Sequence, residues 1–130
     1  MDTEVVGRFL ATAFFAAVFV QSALDKLTDS AGNLEFLTGH FKNSPFPPAM
    51  VRQMFWVLTA LESLAGVLCT LGVLFFSYTH PGWNLASLGI ATAGLALLAL
   101  IVGQRFAKDY AGAAVVAAYF AVALIGLALF

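Results

Sequence analysis

The chain has 130 residues, 62% of them hydrophobic and 10% charged, with a formal net charge of −1. That length accommodates a single domain, residues 1–130, and the charged fraction lies far below the roughly 25% of an average soluble domain. A soluble fold of this size could not cover so much apolar surface, whereas a bilayer can; the near-zero charge and the lack of a basic run exclude a nucleic-acid footprint.

The first apolar segment is 5–24, broken only by Arg8, Thr12, Gln21 and Ser22. It exceeds the roughly 7–15 residues of a signal-peptide core and no small-x-small cleavage site follows, so it reads as a retained transmembrane helix. Arg8, one turn in, is placed to snorkel to the near surface. The only long polar connection follows, from Asp25 to Val51, and opens with the water-facing turn Asp25-Lys26-Leu27-Thr28-Asp29-Ser30-Ala31-Gly32-Asn33. Leu34, Leu37 and Phe41 then recur at helical spacing, with Phe36 beside them and Glu35, Thr38 and Lys42 on the other face. The pattern predicts a short helix lying along the membrane surface or capping the bundle. Pro45, Pro47 and Pro48 end it and set the start of the next span.

The second span, 53–76, carries a single ionisable residue, Glu62. It lies about 15 Å along the helix axis from Arg52. A bare carboxylate at such a depth is costly, so Glu62 must be neutral, paired or turned toward the bundle interior. Cys69 lies deeper in the same span; as the only cysteine it excludes an intrachain disulfide and a CxxC relay, and reads as a small buried apolar residue. The link 78–83 follows, with Tyr78 and Trp83 as interfacial anchors. The third span is 84–102, the link 103–110 is charged, and the fourth span, 111–130, has no charged side chain. Small residues at four-residue spacing (Gly89 with Ala93, Ala113 with Ala117 and Ala121, and Ala118 with Gly126 across two turns) suit close helix contacts.

The predicted fold is all-α: a four-transmembrane-helix antiparallel bundle with a short interfacial helix in the first connection. In that topology the first and third connections share a side. Asp25, Lys26, Asp29, Glu35, Lys42, Arg52, Arg105, Lys108 and Asp109 gather there, against Asp2, Glu4, Arg8 and His80 on the other. Five of the six basic residues are therefore together, which by the positive-inside rule makes that face cytoplasmic. Glu62 approaches the same face from within, with Lys26, Arg105, Gln21 and Gln104 as candidate partners and Asp109 beside Arg105. Two readings stand for Glu62. It belongs to a polar pocket that hydrogen-bonds a headgroup or moves a proton, or it is a protonated or paired carboxyl that holds helices together. Arg105 with Asp109, and Asp25 with Lys26, also read as interfacial anchoring pairs. His40 and His80 fall on opposite sides and cannot share one haem or metal. No phosphate loop, nucleophile elbow or carboxylate–histidine metal pattern is present, so no metal site and no cofactor of its own are expected.

Several of these pieces, in this order and spacing, resemble the DoxX-like family of small four-helix membrane proteins. They are Gly7-Arg8, Leu24-Asp25-Lys26-Leu27, Leu61-Glu62-Ser63-Leu64-Ala65-Gly66 with Gly72, and Gln104-Arg105 through Lys108-Asp109-Tyr110-Ala111-Gly112-Ala113, with Tyr119-Phe120. The resemblance covers most of the chain. It implies a multi-pass protein of a bacterial inner or plasma membrane, associated with membrane redox chemistry. Relatives include the membrane subunit of thiosulfate:quinone oxidoreductases, though this chain lacks the extra domain of larger quinone-reducing relatives. The function it implies is an anchor or accessory subunit of a membrane-bound oxidoreductase or respiratory complex, with the lipid bilayer and other membrane subunits as partners. The alternatives are a protein that binds quinone or another lipophilic small molecule and, ranked last, a small transporter with Glu62 as a proton-coupled gate. The resemblance carries a functional expectation onto Lys26, Glu62, Arg105 and Asp109 and supplies no reaction.

Overall fold

In a computed structural model, which describes residues 2–130, four long helices and one short helix account for nearly all of the chain. They are α1 (Thr3–Thr28), α2 (Ser30–His40), α3 (Pro48–Leu74), α4 (Leu85–Phe106) and α5 (Tyr110–Ala128). A single 3-10 turn, Ser77–Thr79, sits between α3 and α4. The four long helices are each long and apolar enough to cross a membrane. This is the architecture of a multi-pass integral membrane protein: an all-helical bundle whose first connection holds the short α2.

The helix ends follow local chemistry. Asp2 caps α1, its carboxylate accepting from Glu4 N–H, and Pro48 occupies the first turn of α3, where its missing N–H leaves nothing unpaired. Asn84 and Ser87 form a reciprocal capping box at the start of α4. Asp109 caps α5 through Gly112 N–H at 2.9 Å. The water-facing turn expected at 25–33 is reduced to one non-helical residue, Asp29. Asp25 to Thr28 contain no helix breaker and extend α1, and Asp29 caps α2 through Gly32 N–H at 3.3 Å. The third span likewise runs on through Gln104 and Arg105, leaving only 107–109 as the link to α5.

Around the bundle, α1 packs on α3, α3 on α4 and α4 on α5, and α1 meets both α4 and α5; no contact joins α3 to α5 among the described residues. The core runs through Phe15 and Phe19 of α1, Ala65 and Cys69 of α3, Ile90, Ala93 and Leu97 of α4, and Val116 and Ala123 of α5. The α3–α4 seam is tight. A Cβ on Gly72 would lie 2.8 Å from Ala86 Cα, and one on Gly89 would lie 2.7 Å from Cys69 Sγ. Small residues thus allow the close backbone approach that membrane helices use in place of a hydrophobic drive.

Three expectations change. On α5 the inward line is Ala113, Val116, Ala123 and Gly126, so Ala117, Ala118 and Ala121 face outward. Arg8 is buried: Nε donates to Leu129 O at 2.7 Å and the guanidinium lies 5.5 Å from the Phe130 ring. It turns inward because a carbonyl at the end of α5 supplies an acceptor at the negative end of that helix. Tyr78 is buried against Phe9 and Phe76, while Trp83 is exposed.

Candidate functional site

The site begins with helical register. Ser22 and Lys26 are four residues apart and share one face of α1. That face meets α3 at Glu62. Gly66, one turn further along α3, brings the two backbones together: a Cβ there would lie 3.1 Å from Val20 N and 3.2 Å from Phe19 C. The close approach puts three polar side chains in one cluster. Lys26 Nζ donates to Glu62 Oε2 at 3.2 Å and to Ser22 Oγ at 2.9 Å, and Ser22 Oγ donates to the same Glu62 oxygen. Glu62 is 1% exposed and the Lys26 side chain 17%. The pairing answers the cost of burying a carboxylate, which would be large without a counter-charge.

The other buried hydroxyls on these helices are satisfied locally, Thr12 by Arg8 O and Thr59 by Phe55 O. Two buried side-chain oxygens among the described residues lack a partner: Glu62 Oε1 and Gln104 Oε1. Both belong to the charged end of the bundle.

From this cluster Lys26 reaches the wall of a cavity of about 670 Å³ bounded by α2, α3 and α4. Most of its lining is apolar, including Leu37, Phe41, Met54, Leu58 and Leu100; the polar residues are Lys26, Asn33, His40, Gln53, Gln104 and Asp109. α2 forms one side. Phe41, just past its end, is buried against Gly103, where an added Cβ would lie 3.2 Å from the Phe41 ring. His40 Nε2 lies 3.5 Å from Asp109 Oδ2, so the end of α2 is tied to the start of α5. A mostly apolar cleft with a few convergent polar groups is the usual form of a small-molecule site, and this volume lies within the range that drug-sized ligands occupy.

The structure gathers some of the expected residues and separates others. Lys26 and Glu62 are joined directly, and Gln104 and Asp109 line the cavity that Lys26 enters. Gln21 and Arg105 do not belong to this group. Gln21 precedes Ser22 by one residue, about 100° around the helix, and is exposed on α1. Arg105 is exposed and lies over the Tyr110 ring, 4.7 Å from its centroid. Ser22, Asn33, His40 and Gln53 are the polar residues that sequence reasoning left out of the site. Ser22 was detectable from its four-residue offset to Lys26. The approach of His40 to Asp109 depends on the packing of α2, which no local pattern encodes. No group of three or more His, Cys, Asp or Glu residues able to hold a metal ion occurs among the described residues.

No protein-family model, no curated protein and no solved structure matches the chain.

Proposed function

We propose that this protein binds a lipophilic small molecule, with the polar headgroup at Lys26, Gln104 and Asp109 and the apolar part along Leu58, Met54 and Leu100. The observation that carries this reading is the roughly 670 Å³ cavity. Its walls are apolar, and its polar wall includes a lysine anchored by a buried carboxylate. The two readings of Glu62 merge here. The carboxyl does join α1 to α3, and by doing so it holds Lys26 at the cavity wall.

The resemblance to the DoxX-like family supports a wider setting for this activity. In it the protein is a small accessory or anchoring subunit of a membrane oxidoreductase or respiratory complex in a bacterial inner membrane, with a quinone as the class of lipophilic ligand. Of Lys26, Glu62, Arg105 and Asp109, onto which the resemblance carries a functional expectation, Lys26 and Asp109 line the cavity.

Purification in mild detergent, followed by solvent extraction with absorbance and mass measurement, tests the ligand. A lipophilic molecule should co-purify near one per chain, and Met54→Trp, which fills the cavity, should remove it. Retention of the same molecule by Met54→Trp would sink the reading. The same preparation tests the setting, since partner subunits should accompany the chain; a lone monomer or homo-oligomer would reject it.

A further inference from the structure

We infer that the cavity selects amphiphiles with an uncharged, hydrogen-bond-accepting headgroup, and that Glu62, which does not line the cavity, determines this selectivity by cancelling the charge of Lys26. The inference rests on the ligand-binding reading above and adds to it the headgroup class and the residue that sets it.

The titratable residues of the cavity wall are Lys26, His40 and Asp109. Lys26 already faces a counter-charge, and both carboxylate oxygens of Asp109 already face a nitrogen. Lys26 Nζ is 3.2 Å from Glu62 Oε2. Asp109 Oδ1 accepts from Gly112 N–H at 2.9 Å, and Oδ2 lies 3.5 Å from His40 Nε2. An anionic headgroup would find the lysine charge already matched and would share the cavity with the Asp109 carboxylate. A cationic headgroup would face the Lys26 ammonium. An anion would shed its hydration shell without a free counter-charge. A cation would do so beside the Lys26 ammonium and in competition with Gly112 N–H and His40 for the Asp109 carboxylate. Either costs more than desolvating a neutral polar group.

Lys26 nonetheless has something to offer. An ammonium carries three donors, and Ser22 Oγ and Glu62 Oε2 take two of them. The third remains for a ligand oxygen, as a charge-assisted donor in an apolar setting. A carbonyl or hydroxyl oxygen on a lipophilic body uses that donor and brings no net charge.

The test is equilibrium binding, in an uncharged detergent, of amphiphiles that share one tail and differ in the headgroup: alcohol, methyl ketone, carboxylate, phosphate monoester and ammonium. On the wild-type protein the alcohol and ketone should bind about tenfold or more tightly than any of the three ions, because only the ions give up a charged hydration shell on entering the apolar cavity. Glu62→Gln keeps the shape and removes the counter-charge, so the carboxylate should overtake the alcohol. A wild-type preference for the carboxylate, phosphate or ammonium overturns the inference without help from any variant. An unchanged headgroup order in a folded Glu62→Gln protein overturns the role given to Glu62. Failure of every amphiphile to bind overturns the ligand-binding reading itself.

Discussion

The Lys26–Glu62 pair is a costly device for joining two helices. Apolar side chains of similar size would pack α1 on α3 without any desolvation penalty, and replacing a buried ion pair in that way is often neutral or stabilising. The double substitution Lys26→Met with Glu62→Leu should therefore leave the bundle as stable as the wild type to within about 1 kcal/mol. Lys26→Met alone should cost about 3 kcal/mol, because it leaves the carboxylate of Glu62, only 1% exposed, without its counter-ion. Unfolding titrations in mixed micelles on the two single variants and the double variant measure this as a coupling energy. A double variant no more stable than Lys26→Met would refute it. Only part of this cluster was legible in the chain. An isolated glutamate in a 24-residue apolar span, 53–76, demands a partner on physical grounds alone. Choosing that partner required knowing that α1 remains helical past Leu24. With a turn placed at Asp25, Gln21 and Lys26 look equally close to Glu62; with the helix continued to Thr28, register selects Ser22 and Lys26 and turns Gln21 away.

Among the elements, α2 and the α3–α4 seam respond to the same substitution in opposite ways. Gly72 faces the backbone of Ala86, with 2.8 Å between its would-be Cβ and Ala86 Cα, and a backbone atom cannot move aside as a side-chain end can. Gly72→Ala should destabilise the protein by about 1–3 kcal/mol through overpacking. Gly39, near the end of α2, has nothing within 4 Å of an added Cβ, so Gly39→Ala should stabilise by up to about 0.5–1 kcal/mol by restricting the unfolded chain. Thermal or denaturant midpoints for the two variants should move in opposite directions; equal losses at both positions would contradict this packing. The sequence revealed which elements exist and which face α2 turns inward, but not which faces the apolar spans use. Leu34, Leu37 and Phe41 mark the inner stripe of α2, and prolines mark its end, because helical spacing and backbone restriction are local properties. Ala113, Ala117 and Ala121 give no such guidance. On a helix apolar all round, inward and lipid-facing positions carry the same residue types, so only tertiary packing distinguishes buried Ala113 from exposed Ala117.

At the scale of the molecule, charge is segregated along the bundle axis. Lys26, Lys42, Arg52, Arg105 and Lys108 lie toward the α2 end, while Arg8, the remaining cation, is withdrawn from solvent onto Leu129 O at the other. Among the described residues the α2 end thus exposes four basic side chains, Lys42, Arg52, Arg105 and Lys108, and the opposite end exposes no Lys or Arg. By the positive-inside rule the α2 end is expected to face the cytoplasm, and the proposed lipophilic site would open near that surface. α1 and α3, with 26 and 27 residues, have room to tilt or to extend beyond a hydrocarbon core of about 30 Å. Extension of α1 at the α2 end would carry Lys26 to the boundary, where an amphiphile could place its headgroup at the lysine and its tail in the bilayer. This arrangement predicts a labelling pattern. In a Cys69→Ala background, single cysteines at Lys42 and Arg105, both exposed at the α2 end, should react with a membrane-impermeant maleimide from the cytoplasmic side only. A cysteine at Thr79, exposed at the other end, should react only from the opposite side. Labelling of Lys42→Cys and Arg105→Cys from different sides would break the antiparallel topology, and with it the placement of α2 over α3 and α4 that forms the cavity. Labelling of both from the outer side would keep the topology and reverse the orientation.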